Sequence, residues 1–178
     1  MILPTPEDTR ELGRRLADLL VAGDLVLLTG PLGAGKTVLA QGIGAGLNVD
    51  VALTSPTFVI ARVHAGGRLP LVHVDAYRLG GLAEIDDLDL DAAQEESVTV
   101  VEWGAGLVDA LADSHLEISL DRSASDESRR ADFRAAGGTW PQRVSVLTSA
   151  QPLARPVDST ARRADAEHRE GRHTRADD

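Results

Sequence analysis

Residues 25–47 read LVLLTGPLGAGKTVLAQGIGAGL, and this stretch decides the fold. Its first four residues are a short apolar run bounded by Asp24 and Gly30, as a buried strand would be. Its last twelve, from Lys36 to Leu47, have a helical pattern that ends near Gly46 and Asn48. Between them stands GPLGAGKT, residues 30–37, a full match to G-x-x-x-x-G-K-[ST]. Gly30, Gly33 and Gly35 allow backbone conformations that a Cβ would forbid and turn the N–H groups inward. A helix starting at Lys36 adds its positive end and its unpaired N–H groups to the same cavity. Lys36 then reaches the β- and γ-phosphates, and Thr37 offers a hydroxyl to Mg²⁺. Strand, loop and helix in this order predict a nucleotide phosphate site formed by Gly30, Pro31, Leu32, Gly33, Ala34, Gly35, Lys36, Thr37 and Val38. Of the 18 basic residues, Lys36 is the only lysine. Compositional bias accounts for the rarity of lysine but not for its position. A compact ammonium on a flexible stem suits a crowded cradle better than a planar guanidinium does.

Outward from the loop, residues 7–22 (EDTRELGRRLADLLVA) place Leu12, Leu16, Leu19 and Leu20 on one helical face, with Gly23 as a stop. Residues 57–63 (TFVIARV) and 69–75 (LPLVHVD) read as strands joined by the turn AGGR. Residues 82–96 hold seven carboxylates, whose ordinary meaning is a solvated helical face or loop rather than a metal site. Residues 98–102 (VTVVE) read as another buried strand, and residues 104–113 as a short helix. Residues 116–120 (LEISL) and 130–135 alternate like the arms of an exposed hairpin. The expected fold is α/β, a P-loop NTPase with a central mixed sheet flanked by helices.

The length of 178 residues suits one domain with a proper core. Residues 1–147 are read as that domain and residues 148–178 as a disordered tail. From position 158 onward no Val, Ile, Leu, Met or aromatic residue occurs, so the segment has too little apolar surface to offset its ordering entropy. The formal charge of −10 argues against a large nucleic-acid footprint on the isolated chain. The chain has no cysteine, which excludes disulfides and thiolate metal sites. No secretory start and no apolar run of membrane-spanning length is visible, and a cytoplasmic protein is expected.

A P-loop enzyme needs an acid near the metal, usually at the end of an apolar strand. Two positions qualify: Asp75 ends LVHVD and Glu102 ends VTVVE. One would hold the ion and the other orient water, and the roles are not assigned by sequence. His73 shares a strand face with Asp75, which fits a hydrogen-bonded structural histidine as well as a catalytic one. Arg78 follows three residues after Asp75, as a phosphate neutraliser or a surface ion-pair partner.

With GAGKT, the motifs SPTF (residues 55–58), HVDAYRL (73–79) and VVEW (100–103) follow in an order that resembles the TsaE family. These are the small ATPases of bacterial tRNA threonylcarbamoyladenosine biosynthesis. The resemblance covers roughly residues 5–147. It implies a P-loop fold with ATP and Mg²⁺, and work with two partner proteins, TsaD and TsaB. Those partners place threonylcarbamoyl on adenosine 37 of tRNA, so that tRNA is met indirectly through the complex. Matched position by position, residues 55–57 resemble a switch-like segment with Thr57 near the γ-phosphate or metal. Asp75 resembles the acid of the family's H-x-D-x-Y-R motif, and Glu102 with Trp103 its second acid and tryptophan. Val38 stands where the family commonly has a second threonine, and Ala76 where it has a larger apolar residue.

Rival classes fare less well. A translational-type GTPase needs N-K-x-D, which a chain with its one lysine in the phosphate loop cannot supply. An ABC-type ATPase would show an LSGGQ-like signature, and none is present. A small P-loop kinase acting on a small molecule or nucleotide is the alternative. It would need an arginine-rich lid, whereas arginines 122–134 fall on the expected hairpin. Hydrolysis by positioning and electrostatics is expected, with slow turnover because no internal arginine is an obvious finger.

Overall fold

The computed structural model describes residues 1–49, 61–78, 95–103, 113–122 and 128–149. The tail beyond 149, the 104–112 segment, most of the acidic stretch and the 55–58 motif lie outside them. The described chain runs β1 (Ile2–Leu3), α1 (Pro6–Ala17), β2 (Leu25–Thr29), α2 (Lys36–Gly46), β3 (Ala61–His64) and β4 (Leu71–Asp75). A 3-10 turn at Ala76–Arg78, β5 (Val98–Glu102), β6 (His115–Arg122), β7 (Arg129–Ala136) and α3 (Trp140–Ser149) follow. The strands form one seven-stranded sheet in the order β1-β7-β6-β2-β5-β4-β3. Strands β4, β5, β2 and β6 run parallel, while β7 is antiparallel to β6 and β3 to β4. The sheet is mixed and the fold α/β, as expected.

The apolar runs LVLLT, LVHVD and VTVVE are buried at every position, as parallel strands covered on both faces must be. On one face Val26, Leu28, Val98, Val100, Leu116, Ile118 and Leu120 pack in a single cluster with Leu12, Leu16, Leu39 and Ile43 of the two helices. Leu27, Val72, Val74 and Val101 occupy the other face and are also buried.

Helix α1 begins with a capping box. The Asp8 amide donates to Thr5 Oγ1 at 3.2 Å, and the Thr5 amide donates to Asp8 Oδ2 at 2.8 Å. The helix ends at Ala17 rather than at Ala22. Its chain tightens there, with the Leu19 and Leu20 amides donating to Leu16 and Ala17 carbonyls. Leu20 is still buried, so the helical face continues without the helix. Arg68 donates to the Ala17 and Leu20 carbonyls from the β3–β4 turn. That cation satisfies acceptors a helix end leaves open.

Helix α2 forms despite its glycines because they are where it meets α1. A Cβ at Gly42 would run into the Arg10 carbonyl, and one at Gly13 would stand 2.5 Å from the Leu39 carbonyl. Backbone lies against backbone, so the two helices sit closer than bulky side chains allow.

Other expectations also need correction. Strands β6 and β7 do pair antiparallel as the two expected arms, but β6 is not exposed: it lies between β2 and β7, with Leu116, Ile118 and Leu120 fully buried. Alternation showed one apolar face but not that β6 pairs with the loop strand. Strand β4 begins at Leu71 rather than Leu69. Helix α3 was not expected at all and runs to Ser149, past the boundary placed at 147. It is tied down by Arg143, which donates to both Asp24 oxygens (2.5 and 2.8 Å) and lies 3.7 Å from the centre of the Trp140 ring.

A phosphate loop flanked by two strand-end acids

The loop leaves β2 at Thr29 and enters α2 at Lys36. Gly35 is the N-cap residue, at φ 108° and with no side-chain cap, so the first amides of α2 point open-ended into the loop. Gly30, at φ 131°, passes so close to the Leu120 carbonyl that a side chain has no room. Pro31 and Gly30 present carbonyls inward. Lys36 Nζ donates to them at 3.0 and 2.8 Å, and stands 3.5 Å from the centre of the Trp103 ring. Burial lowers the Lys36 pKa from its ordinary value, and the charges of Glu102 and Asp75 oppose that shift. Ala34 is buried beneath the loop, while Leu32 at its tip is 90% exposed.

The parallel register sets the acids. Asp75 pairs with Glu102, and Glu102 with Leu28, so both acids end at the sheet edge from which the loop rises. Both face α2. Thr37 Oγ1 donates to Glu102 Oε2 at 3.0 Å. His73 Nε2 lies 2.9 Å from Glu102 Oε1 in a buried contact; an ionised carboxylate only accepts, so the histidine donates. Both Glu102 oxygens are therefore held, and the carboxylate points at the hydroxyl of the loop. Asp75, one strand further out, accepts from the Tyr77 amide at 3.0 Å.

Trp103 turns the chain out of β5 at φ 65°, an uncommon conformation for a bulky residue. Its amide donates to the Leu28 carbonyl at 2.9 Å, and its ring meets Tyr77 at 5.0 Å between centroids. The strained turn lays an aromatic wall beside Lys36. A cavity of about 470 Å³ opens here, lined by Leu32, Gly33, Gly35, Lys36, Thr37, Val38, Asp75, Tyr77, Glu102, Trp103 and Arg129.

Of the residues singled out in the sequence, the loop positions, Asp75, Glu102 and Trp103 come together here. Thr57 lies outside the described residues, as does the side chain of Arg78. Sequence reasoning missed Tyr77 and Arg129. Arg129 was missed because the strand was started at Arg130; counted from 129, it falls in phase with Ala131, Phe133 and Ala135 on the inward face.

Mg²⁺ is ordinarily held by one or two carboxylates together with substrate phosphates. Thr37 and Glu102 fit that requirement: a hydroxyl and a carboxylate, both hard oxygen donors, 3.0 Å apart at the loop. Among the described residues no group of three or more His, Asp or Glu is placed to hold a metal without the substrate.

A phosphate loop between the central strand and its helix, with a carboxylate from the adjacent parallel strand on the loop threonine, defines a protein of the P-loop NTPase class. Within that class, residues 3–131 match the family model described as "Threonylcarbamoyl adenosine biosynthesis protein TsaE". The chain belongs to the TsaE family. It is 57% identical over 145 residues to the tRNA threonylcarbamoyladenosine biosynthesis protein TsaE of Streptomyces coelicolor, covering 78% of this chain and 98% of that one. It is 36% identical over 144 residues to the Bacillus subtilis protein of the same name, covering 80% and 89%. The crystal structure of Bacillus subtilis YdiB superposes with a TM-score of 0.70 at 30% identity, over 83% of this chain and 92% of that one.

Proposed function

We propose that this chain binds and slowly hydrolyses ATP with Mg²⁺, and that hydrolysis serves threonylcarbamoyladenosine modification of tRNA at adenosine 37. TsaD and TsaB are the proposed partners, tRNA is met through that complex, and the setting is cytoplasmic. The observation that carries the reading is the Thr37–Glu102–His73 chain of hydrogen bonds at the loop. It holds a carboxylate beside the hydroxyl that a nucleotide-bound metal requires, in a site that also offers the Lys36 ammonium and the Arg129 side chain.

Each residue has a separable task. Loop amides and Lys36 bind the phosphates, which requires the ammonium to leave the Gly30 and Pro31 carbonyls. Thr37 and Glu102 hold the metal, with His73 fixing the carboxylate. Asp75, further from the loop, accepts a proton from the attacking water and orients it. When bound, Mg²⁺ neutralises charge on the β- and γ-phosphates. Trp103 and Tyr77 keep bulk water from the phosphates. Thr57 and its neighbours are proposed to respond to the γ-phosphate and so couple hydrolysis to partner affinity. Slow turnover is expected because the arginine lining the cavity comes from the side opposite the acids.

The test is reconstitution. Purified TsaD, TsaB, an unmodified tRNA and a threonylcarbamoyl donor are combined with this chain or its Lys36→Ala variant, and modified adenosine is measured. Sustained modification should need the unaltered chain and ATP. Equal product without the chain would overturn the assignment, and a turnover by the isolated chain near 10 per second would overturn the slow-ATPase part.

A further inference from the structure

Arg129 opens β7 at the same sheet edge as Asp75 and Glu102, since β7 runs antiparallel to β6. It stands on the opposite flank of the loop strand. The order β7-β6-β2-β5-β4 places the two acids one and two strands to one side of β2, and Arg129 two strands to the other. The residue is only 7% exposed, yet it lines the cavity. It lies against the turn into α2, where a Cβ at Gly35 would stand 3.0 Å from Arg129 Nε and 3.3 Å from its Cδ. The absence of a side chain at Gly35 therefore serves a second purpose besides its φ of 108°: it admits a guanidinium to the loop.

The chemistry of a bound nucleotide follows from which flank holds what. Thr37 and Glu102 mark the metal side, where the β- and γ-phosphates meet. The remainder of the nucleotide must lie toward the other side, because the loop grips one end of an extended chain of phosphates. A guanidinium there is a planar donor fork, suited to a second phosphate oxygen pair.

We propose that Arg129 binds the part of the nucleotide that ATP and ADP share, at the α/β-phosphate side of the loop, rather than acting on the γ-phosphate. The inference rests on the loop being a nucleotide site. It makes Arg129 a determinant of affinity for both nucleotides, so that the product ADP is held as firmly through this contact as the substrate.

Calorimetric titration with Mg·ADP and Mg·ATP separates the possibilities. Arg129→Gln should weaken both by the same factor, about 10- to 100-fold, as expected for losing hydrogen bonds to a charged group. In steady state it should raise KM and leave kcat nearly unchanged. Loss confined to ATP, or a fall in kcat alone, would overturn the proposal in favour of a γ-phosphate role. Unchanged affinity for both would overturn it outright. If the buried substitution prevents folding, the unaltered chain decides. Its Arg129 Nε–H resonance should shift on adding Mg·ADP, and a resonance that stays in place under saturation refutes the contact. Should the unaltered chain bind neither nucleotide, the nucleotide-site reading itself fails, an outcome distinct from any result for the variant.

Discussion

The two flanks of the loop strand are built by different rules. On one side β5 and β4 are five-residue runs, buried at every position and each ending in a carboxylate. On the other side β6 and β7 are eight residues long and alternate between buried and exposed positions. The first flank delivers acids by ending at a set register. The second delivers Arg129 by a side chain reaching back along the sheet edge. A continuous apolar run reports cover on both faces, and alternation reports cover on one. Neither reports which strand lies next to which.

If the flanks also differ in task, mutations should separate turnover from affinity. Glu102→Gln keeps the size of the side chain but removes the charge facing Thr37. Phosphate release should fall about 100-fold or more, the scale of a lost acid–base or electrostatic group, while ADP binding should change far less than it does in Arg129→Gln. Equal damage to both quantities in both variants would erase the distinction. Between the flanks, Lys36→Arg preserves charge yet must fit a fork where an ammonium sits against two carbonyls. ATP affinity should drop roughly 10-fold or more by calorimetry, and full affinity would show that the cradle reads charge alone.

Smaller effects belong to the scaffold. Gly42→Ala drives a methyl group into the Arg10 carbonyl, and overpacking of this kind costs about 1–3 kcal/mol. Denaturant unfolding should show that loss without a change in the nature of the bound nucleotide; an unaffected midpoint would mean the helices separate freely. The smallest effect is in acid. His64, at the end of β3, is buried, and burial together with nearby His73 and Arg62 lowers its pKa from 6.5. The unfolded chain takes up a proton near 6.5 that the folded chain refuses, so stability falls as pH drops below that value and is unaffected above it. His64→Gln should flatten the unfolding midpoint between neutral pH and the folded pKa, measured by thermal melts across pH. A slope identical to the parent's would assign the acid sensitivity elsewhere.

The acid flank was legible because its chemistry is written into contiguous residues. VTVVE and LVHVD each combine an apolar run with a terminal carboxylate, and β5 spans the residues expected of it. The apolar face of α1 was equally local, though the helix stops five residues short of the stretch first assigned to it and its capping box was not read. What stayed hidden lacked a local period. Strand β1 has two residues, too few to show one. Gly46 read as the end of α2 and Gly42 carried no signal, and the meaning of both depends on α1 approaching from elsewhere. Helix α3 follows Gly137 and Gly138, and it is anchored by an ion pair to Asp24, more than a hundred positions away in sequence.

The amino-acid sequence by itself determined the phosphate loop, the two acids and the α/β class, because each depends on a few neighbouring residues whose backbone and chemistry are set by their own spacing. Only the tertiary structure decided that Glu102 rather than Asp75 meets Thr37, that His73 holds the far oxygen of that carboxylate, and that a buried arginine from β7 reaches Gly35. Those contacts join strands through register and sheet order. Strand pairing brings together residues distant in the chain, and no local pattern encodes which partner each strand will find.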